Sequence, residues 1–240
     1  MTFLIFIYSC KNNKNKDNFD KSQKIGVNLK KNNSLNKYYF DLEEEKYDTL
    51  IRKKYSNLAT DYLNKKEIDS FYKVSKSFEK KSYIIKDTFG IVEAKTNIGI
   101  YFLYGFINDS AFVYFSKAEK ISKKLKNNPF LSYILLNKSE IFWSQKDYAA
   151  AEVTAIEALE LSKTKNYYDQ SASCLVMLGN ILFGMGKNDK AIVYYNKATY
   201  EINKTNDDNF KFLFKASVYN YLAQIYQKQN KHFFAVNFLN

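Results

Sequence analysis

A phrase of large and small residues recurs along this chain every 40 to 44 positions, clearest as Leu178-Gly179 followed by Leu182, Ala191, Tyr195 and Ala198. The same order returns around Ala111, Ala151 and Ala235, so that successive alanines, counting Ala191, stand 40, 40 and 44 residues apart. A regular period of this length marks a stack of helix pairs, in which no unit buries its apolar face alone and neighbours seal one another. The 240 residues include one Pro and seven Gly, which leaves few places to break long helices. Hydrophobic residues at 46% and aromatics at 18% exclude wholesale disorder. The pattern therefore predicts an all-α solenoid of about five helix pairs rather than a β-sandwich or an α/β fold. A stack of this kind presents an extended binding surface.

The periodic face is expected to begin near Asp41, where Asp-Leu-Glu-Glu offers an N-cap with Glu44 three residues on. Tyr47, Leu50, Ile51, Tyr55, Leu58 and Tyr62 then share one helical face. The return helix carries Ile68, Phe71, Val74 and Phe78. Ser70 and Ser77 are read as standing where later pairs have alanine, which makes the first pair degenerate. The second pair is predicted from about Ile91 to Lys126, the third over 129–164 and the fourth over 167–204. Pro129 is expected at the first helical position with Asn128 as its cap, and Asp147 as the cap of the next helix. A fifth pair begins near Asp208 and is interrupted at Asn240, inside its second helix. Turns are expected near Asn64-Lys65, Ile107-Asn108, Gln145-Lys146, Gly186-Lys187 and Asn230-Lys231.

Leu175, Leu178, Gly179, Leu182, Gly186, Ala191, Tyr195 and Ala198 fall at the spacing of a known family. The array resembles tetratricopeptide repeats over about residues 45 to 240. Its period exceeds the family's usual 34 or so because the helices are longer, an elongation similar to that of bacterial sensor and regulator arrays. The resemblance implies a right-handed solenoid whose small residues, Gly99, Ser139, Gly179 and Ala223, let one helix backbone approach the next. Phe102, Phe142, Leu182 and Tyr226 are expected to fill the space between.

In that family the first helix of each pair lines a concave face. The resemblance thereby places Tyr133, Asn137, Glu140 and Trp143 on it from the third unit, Met177, Asn180 and Phe183 from the fourth, and Asn220, Gln224 and Gln227 from the fifth. A carboxamide donates to a peptide C=O and accepts from its N–H, so a row of Asn and Gln suits an extended peptide backbone, with Trp143 and Phe183 as anchors. The competing reading is that these amides are ordinary solvated side chains and that the two aromatics pack between helices.

No arrangement for catalysis stands out. His232 is the only histidine, which leaves no zinc site or familiar hydrolase triad in view. Cys174 lies on an apolar helix face, where an inert buried thiol is expected. Glu43 to Glu45 and Asp207-Asp208 fall at helix starts, where carboxylates complement the helix dipole. No glycine-rich phosphate loop occurs, and neither cofactor nor metal is expected.

The net charge of +12 is concentrated at one end: residues 11–40 carry eight Lys against two Asp, and Arg52 is the only arginine. Nucleic-acid readout leans on the guanidinium fork, so this distribution argues against direct nucleic-acid binding by the segment. Residues 1–10 form an apolar run ending in Ile7, Tyr8, Ser9 and Cys10, followed at once by Lys11. They resemble the end of a bacterial lipoprotein signal, which implies lipid attachment at Cys10 and membrane anchoring. Tyr8 is bulky for that pattern and no basic residue precedes the run. Residues 11–40 then read as a disordered basic tether, ahead of the repeat domain at 41–240. The expected function is a non-enzymatic scaffold for a protein or extended peptide in the bacterial cell envelope. The alternative is the sensory part of a membrane-associated helix-turn-helix regulator continuing past residue 240.

Overall fold

The computed structural model describes residues 48–125 and 128–229. Cys10, the tether, the cap at Asp41, His232, Ala235 and the turn at Asn230-Lys231 lie outside the described residues. Regular structure among the described residues is entirely helical: α1 (Asp48–Asn64), α2 (Ile68–Ile84), α3 (Thr88–Tyr104), α4 (Asn108–Ser122), α5 (Phe130–Ser144), α6 (Tyr148–Thr164), α7 (Tyr168–Gly184), α8 (Asn188–Ile202) and α9 (Asp208–Lys228). This is an all-α helical-repeat solenoid. It divides into two compact units whose described parts are 48–97 and 98–229, the boundary falling within α3.

The period of 40 comes from the way the helices end. Lys66, Lys86, Phe106, Lys146, Asn166 and Gly186 all have left-handed backbone, with φ between 56° and 76°. At each, two backward hydrogen bonds close the preceding helix, as where the Asp147 N–H donates to Phe142 O at 2.9 Å and the Lys146 N–H to Trp143 O at 2.9 Å. This left-handed cap satisfies carbonyls that a helix end otherwise leaves open. Helices of 17 residues joined by three-residue turns give a helix start every 20 positions, as at Ile68, Thr88 and Asn108. The expected turns at 64–65, 107–108, 145–146 and 186–187 coincide with these caps to within a residue or two. Asp147 accepts from the Ala150 N–H at 3.1 Å, as expected, and Asp207 does the same for Phe210 at 3.0 Å. Asn128 accepts from Phe130 N–H at 3.0 Å, so the helix begins one residue after Pro129.

In the unit containing 98–229, paired sizes decide how closely helices approach. A Cβ on Gly99 would lie 2.6 Å from the Phe115 ring, and one on Gly179 would lie 2.6 Å from the Tyr195 ring. Sixteen positions on from Ser139, in contrast, stands Ala155 rather than a ring, and the Ser139 hydroxyl donates to Ala151 O at 2.8 Å. At Gly99 and Gly179 the ring occupies the room that the missing side chain leaves. The central helix α7 is buried along its length from Gln170 to Gly179. Gln170 accepts from Ser132 and donates to Pro129 O at 3.1 Å, tying α7 back to the start of α5.

The other unit corrects the reading of the first pair. The positions matching Ala111 and Ala118 are Phe71 and Phe78, both buried, while Ser70 and Ser77 sit beside them, only half-buried. Large rings thus replace the alanines, and Phe78 stacks on Tyr55 at 5.0 Å between centroids. Ala59, buried at 2% exposure, holds the small position on α1. The pair keeps the pattern of the array with its volumes redistributed.

Candidate functional site

The unit spanning 98–229 brings side chains from the first helices of four successive pairs to one locus. Position 140 in the repeat register corresponds to Ile100, Asn180 and Gln224 on the neighbouring first helices, and Glu140 supplies the one charge in that column. Glu140 is half-buried on α5. Burial alone pushes its carboxyl from 4.5 up to about 7. Two phenols feel its charge: Tyr104 at the end of α3 and Tyr221 on α9 are both raised, first by burial and then by Glu140.

Asn180 on α7 lies at the centre of a polar network. Its Oδ1 accepts from the Tyr195 hydroxyl at 2.6 Å, and its amide hydrogen-bonds the Tyr221 oxygen. The Tyr195 and Tyr221 rings stack at 5.4 Å with only 6° between planes. Trp143 donates its indole N–H to the Asn180 backbone oxygen at 3.2 Å and packs against the buried cluster of Ala151, Ala155, Met177, Leu178 and Ile181. Tyr195 is fully buried, so its hydroxyl needs Asn180 as a partner, and its phenol is raised by burial and by Tyr221.

The ten residues expected on this face fare unequally. Asn137 is buried at 4% exposure and turns its amide to its own helix, donating to Tyr133 O at 2.7 Å. Met177 is also buried, at 6%. Neither is presented to a ligand, since both are buried. Tyr133 is half-buried. Trp143 and Phe183 are half-buried and packed on neighbouring helices, with Lys228 Nζ 4.5 Å above the Phe183 ring. Asn220, Gln224 and Gln227 are exposed on α9, where Gln224 donates to Asn220 at 3.2 Å. The expected row of free amides is therefore confined to α9, while Asn180 is engaged.

Tyr104, Tyr195 and Tyr221 were not among the residues expected here. Tyr221 follows Asn137 and Met177 in the same repeat column, at intervals of 40 and 44, so register alone could have placed it. Among 21 tyrosines it carried no mark of its own. Cys174 is buried, and desolvation pushes its thiol up to about 12, which makes it inert as expected.

Residues 130–199, from α5 to α8, match the tetratricopeptide repeat family model. The chain contains tetratricopeptide repeats. No curated protein matches the sequence. Among solved structures the fold is similar to BtubC (BKLC) from P. vanneervenii, with a TM-score of 0.66 and 15% identity over 86% of this chain and 85% of that one. Aspartyl phosphate phosphatase F from Bacillus subtilis gives 0.64 and 18% over 83% and 51%, so this chain spans about half of it. Pseudomonas aeruginosa PilF gives 0.55 and 18% over 78% and 72%. At such identities the likeness is one of fold. The tetratricopeptide repeat fold is that of a protein–protein interaction scaffold.

Proposed function

We propose that this chain is a non-enzymatic scaffold that holds an extended peptide segment along the face bearing Glu140, Asn180, Tyr221, Asn220 and Gln224, and that it does so at the bacterial cell envelope. The observation carrying the binding site is the convergence of α3, α5, α7 and α9 on Glu140 and Asn180. The exposed amides of Asn220 and Gln224 continue the face with groups that pair with a peptide backbone. The envelope location rests on the resemblance of residues 1–10 to a lipoprotein signal.

A library of random 12-residue peptides displayed on phage, selected on the immobilised full chain, tests the scaffold. Recovered peptides are synthesised and titrated against Asn220→Ala combined with Gln224→Ala. Loss of affinity by about tenfold with unchanged thermal melting is expected, since these side chains are exposed. Recovery of no peptide, or equal binding by the double variant, refutes the assignment of this face. For the anchor, cells expressing the chain behind a complete signal should incorporate labelled palmitate, and Cys10→Ser should not. Equal labelling of both refutes it.

A further inference from the structure

Valine recurs at one exposed position on three successive second helices. Val113 on α4, Val153 on α6 and Val193 on α8 stand 40 residues apart and are 47%, 69% and 49% exposed. All three belong to the unit spanning 98–229, and their shared register sets them in one row on the solvent side of those helices. The fold does not require them, because the same position on α2 is the exposed Lys73. Valine is also a poorer helix former than lysine and costs more to leave in water. Ile156, 40% exposed and one turn on from Val153, widens the row at its middle. An apolar row rimmed by charges is the form of a surface that a partner covers.

The charges beside the row select the partner. Four positions before the valine stand Asp109 on α4 and Asp189 on α8; four positions after it stand Lys117 and Lys197, and all four are exposed. At about 1.5 Å per residue, acid and base lie about 6 Å to either side of the row on both flanking helices. Each lysine lies over a tyrosine of its own helix, Lys117 at 5.5 Å from the Tyr114 ring centroid and Lys197 at 5.1 Å from that of Tyr194, which holds the two in equivalent places. A two-fold axis along the row reverses the helices of a second copy, so that the residue four after a valine meets the residue four before it. Asp109 then faces the partner's Lys117 and Asp189 the partner's Lys197, each pairing occurring twice, while the valines meet one another. On α6 the facing positions are Ala149 and Glu157, so no like charges collide. The other two-fold arrangement, with its axis along α6, keeps the helices parallel and sets Asp109 on the partner's Asp189 and Lys117 on the partner's Lys197, acid on acid and base on base. The face is therefore complementary to its own antiparallel copy.

We propose that this face binds a second copy of the chain, forming an antiparallel homodimer about a two-fold axis along Val113, Val153 and Val193. It uses helices other than those of the peptide face, and neither reading depends on the other. Sedimentation equilibrium of the full chain in reducing buffer tests it. The mass should rise with concentration from the monomer value of 28.2 kDa toward twice that value. The expected Kd is about 10 to 100 μM, as suits a small interface, so loading runs from about 1 to 500 μM. Val153→Lys sets two ammonium groups against each other on the axis and should weaken association at least about tenfold, with helicity and thermal melting unchanged because the position is exposed. Lys117→Asp combined with Lys197→Asp sets acid against acid and should do the same. Adding Asp109→Lys and Asp189→Lys to that variant reverses every sign and should restore association to within about threefold. A chain that stays at the monomer mass throughout, association that Val153→Lys leaves unchanged, or a sign-reversed variant as weak as the one with acid on acid overturns the proposal. Peptide capture by α5, α7 and α9 should be equal in all these variants.

Discussion

Glu140→Gln should stabilise the protein, and the gain should depend on pH. Burial raises the native carboxyl from 4.5 to about 7, whereas the unfolded chain holds it near the lower value. Between those values the native state keeps a proton that the unfolded state has released. The contribution of Glu140 is therefore most favourable below about pH 4.5, declines as pH rises, and is lost above about 7. At about 1.4 kcal/mol per tenfold change in proton affinity, the full penalty at pH 8 is about 3 kcal/mol. Glutamine carries no charge at any of these pH values. Urea denaturation followed by circular dichroism at pH 5, 6, 7 and 8 should show a difference between variant and parent that widens from about 1 kcal/mol at pH 5 to about 3 kcal/mol at pH 8. Differencing removes the titration of every other group. A gap that stays constant with pH, or a variant less stable at pH 8, would show that Glu140 is solvated or paired and would refute the reasoning.

Three further outcomes are expected. Gly179→Ser should cost about 1 to 3 kcal/mol by forcing a Cβ to 2.6 Å from the Tyr195 ring, and combining it with Tyr195→Ala, which copies the Ser139 and Ala155 arrangement, should show favourable coupling in a double-mutant denaturation cycle. Lys146→Gly should raise stability by about 0.5 to 1 kcal/mol because φ is 62° there, whereas a decrease in the urea midpoint would show that the cap is unstrained. In a Cys10→Ser variant, Cys174 should react with Ellman's reagent only when the protein is unfolded, and rapid modification of that variant in its native state would contradict the burial of Cys174.

The helix pairs were legible because their signal is collective: alanines at 111, 151 and 191 and small residues at 99, 139 and 179 repeat at one interval, and no local ambiguity survives three copies. The first pair misled because Phe71 and Phe78 stand where later pairs have alanine, and the small residues beside them, Ser70 and Ser77, drew the register one position off. The binding face was harder. Register puts Asn137 and Asn180 on equivalent helices, but whether an amide turns to solvent, to its own backbone or to a buried hydroxyl depends on what lies opposite. Asn137 found Tyr133 O, and Asn180 found Tyr195. That Glu140 meets no cation among the described residues was invisible for the same reason, since a missing partner is a property of the neighbourhood and not of the residue.

The left-handed caps also bear on how such a gene can change length. Turns inside a pair, as at 106, 146 and 186, look interchangeable in backbone, yet a crossover between 106 and 146 would set Gly99 against Ala155, and one between 146 and 186 Ser139 against Tyr195, leaving a void or a clash. Exchanges between pairs leave those matches untouched. There the junctions alternate: Lys86 and Asn166 carry left-handed caps, while α4 and α8 end instead in Lys123 at φ −60° and Asn203 at φ −62°. Like junctions thus recur two pairs apart. Recombination that joins Lys86 to Tyr167 removes two whole pairs and preserves every small-to-large match inside those that remain, so arrays of this design should grow and shrink by eighty residues rather than forty.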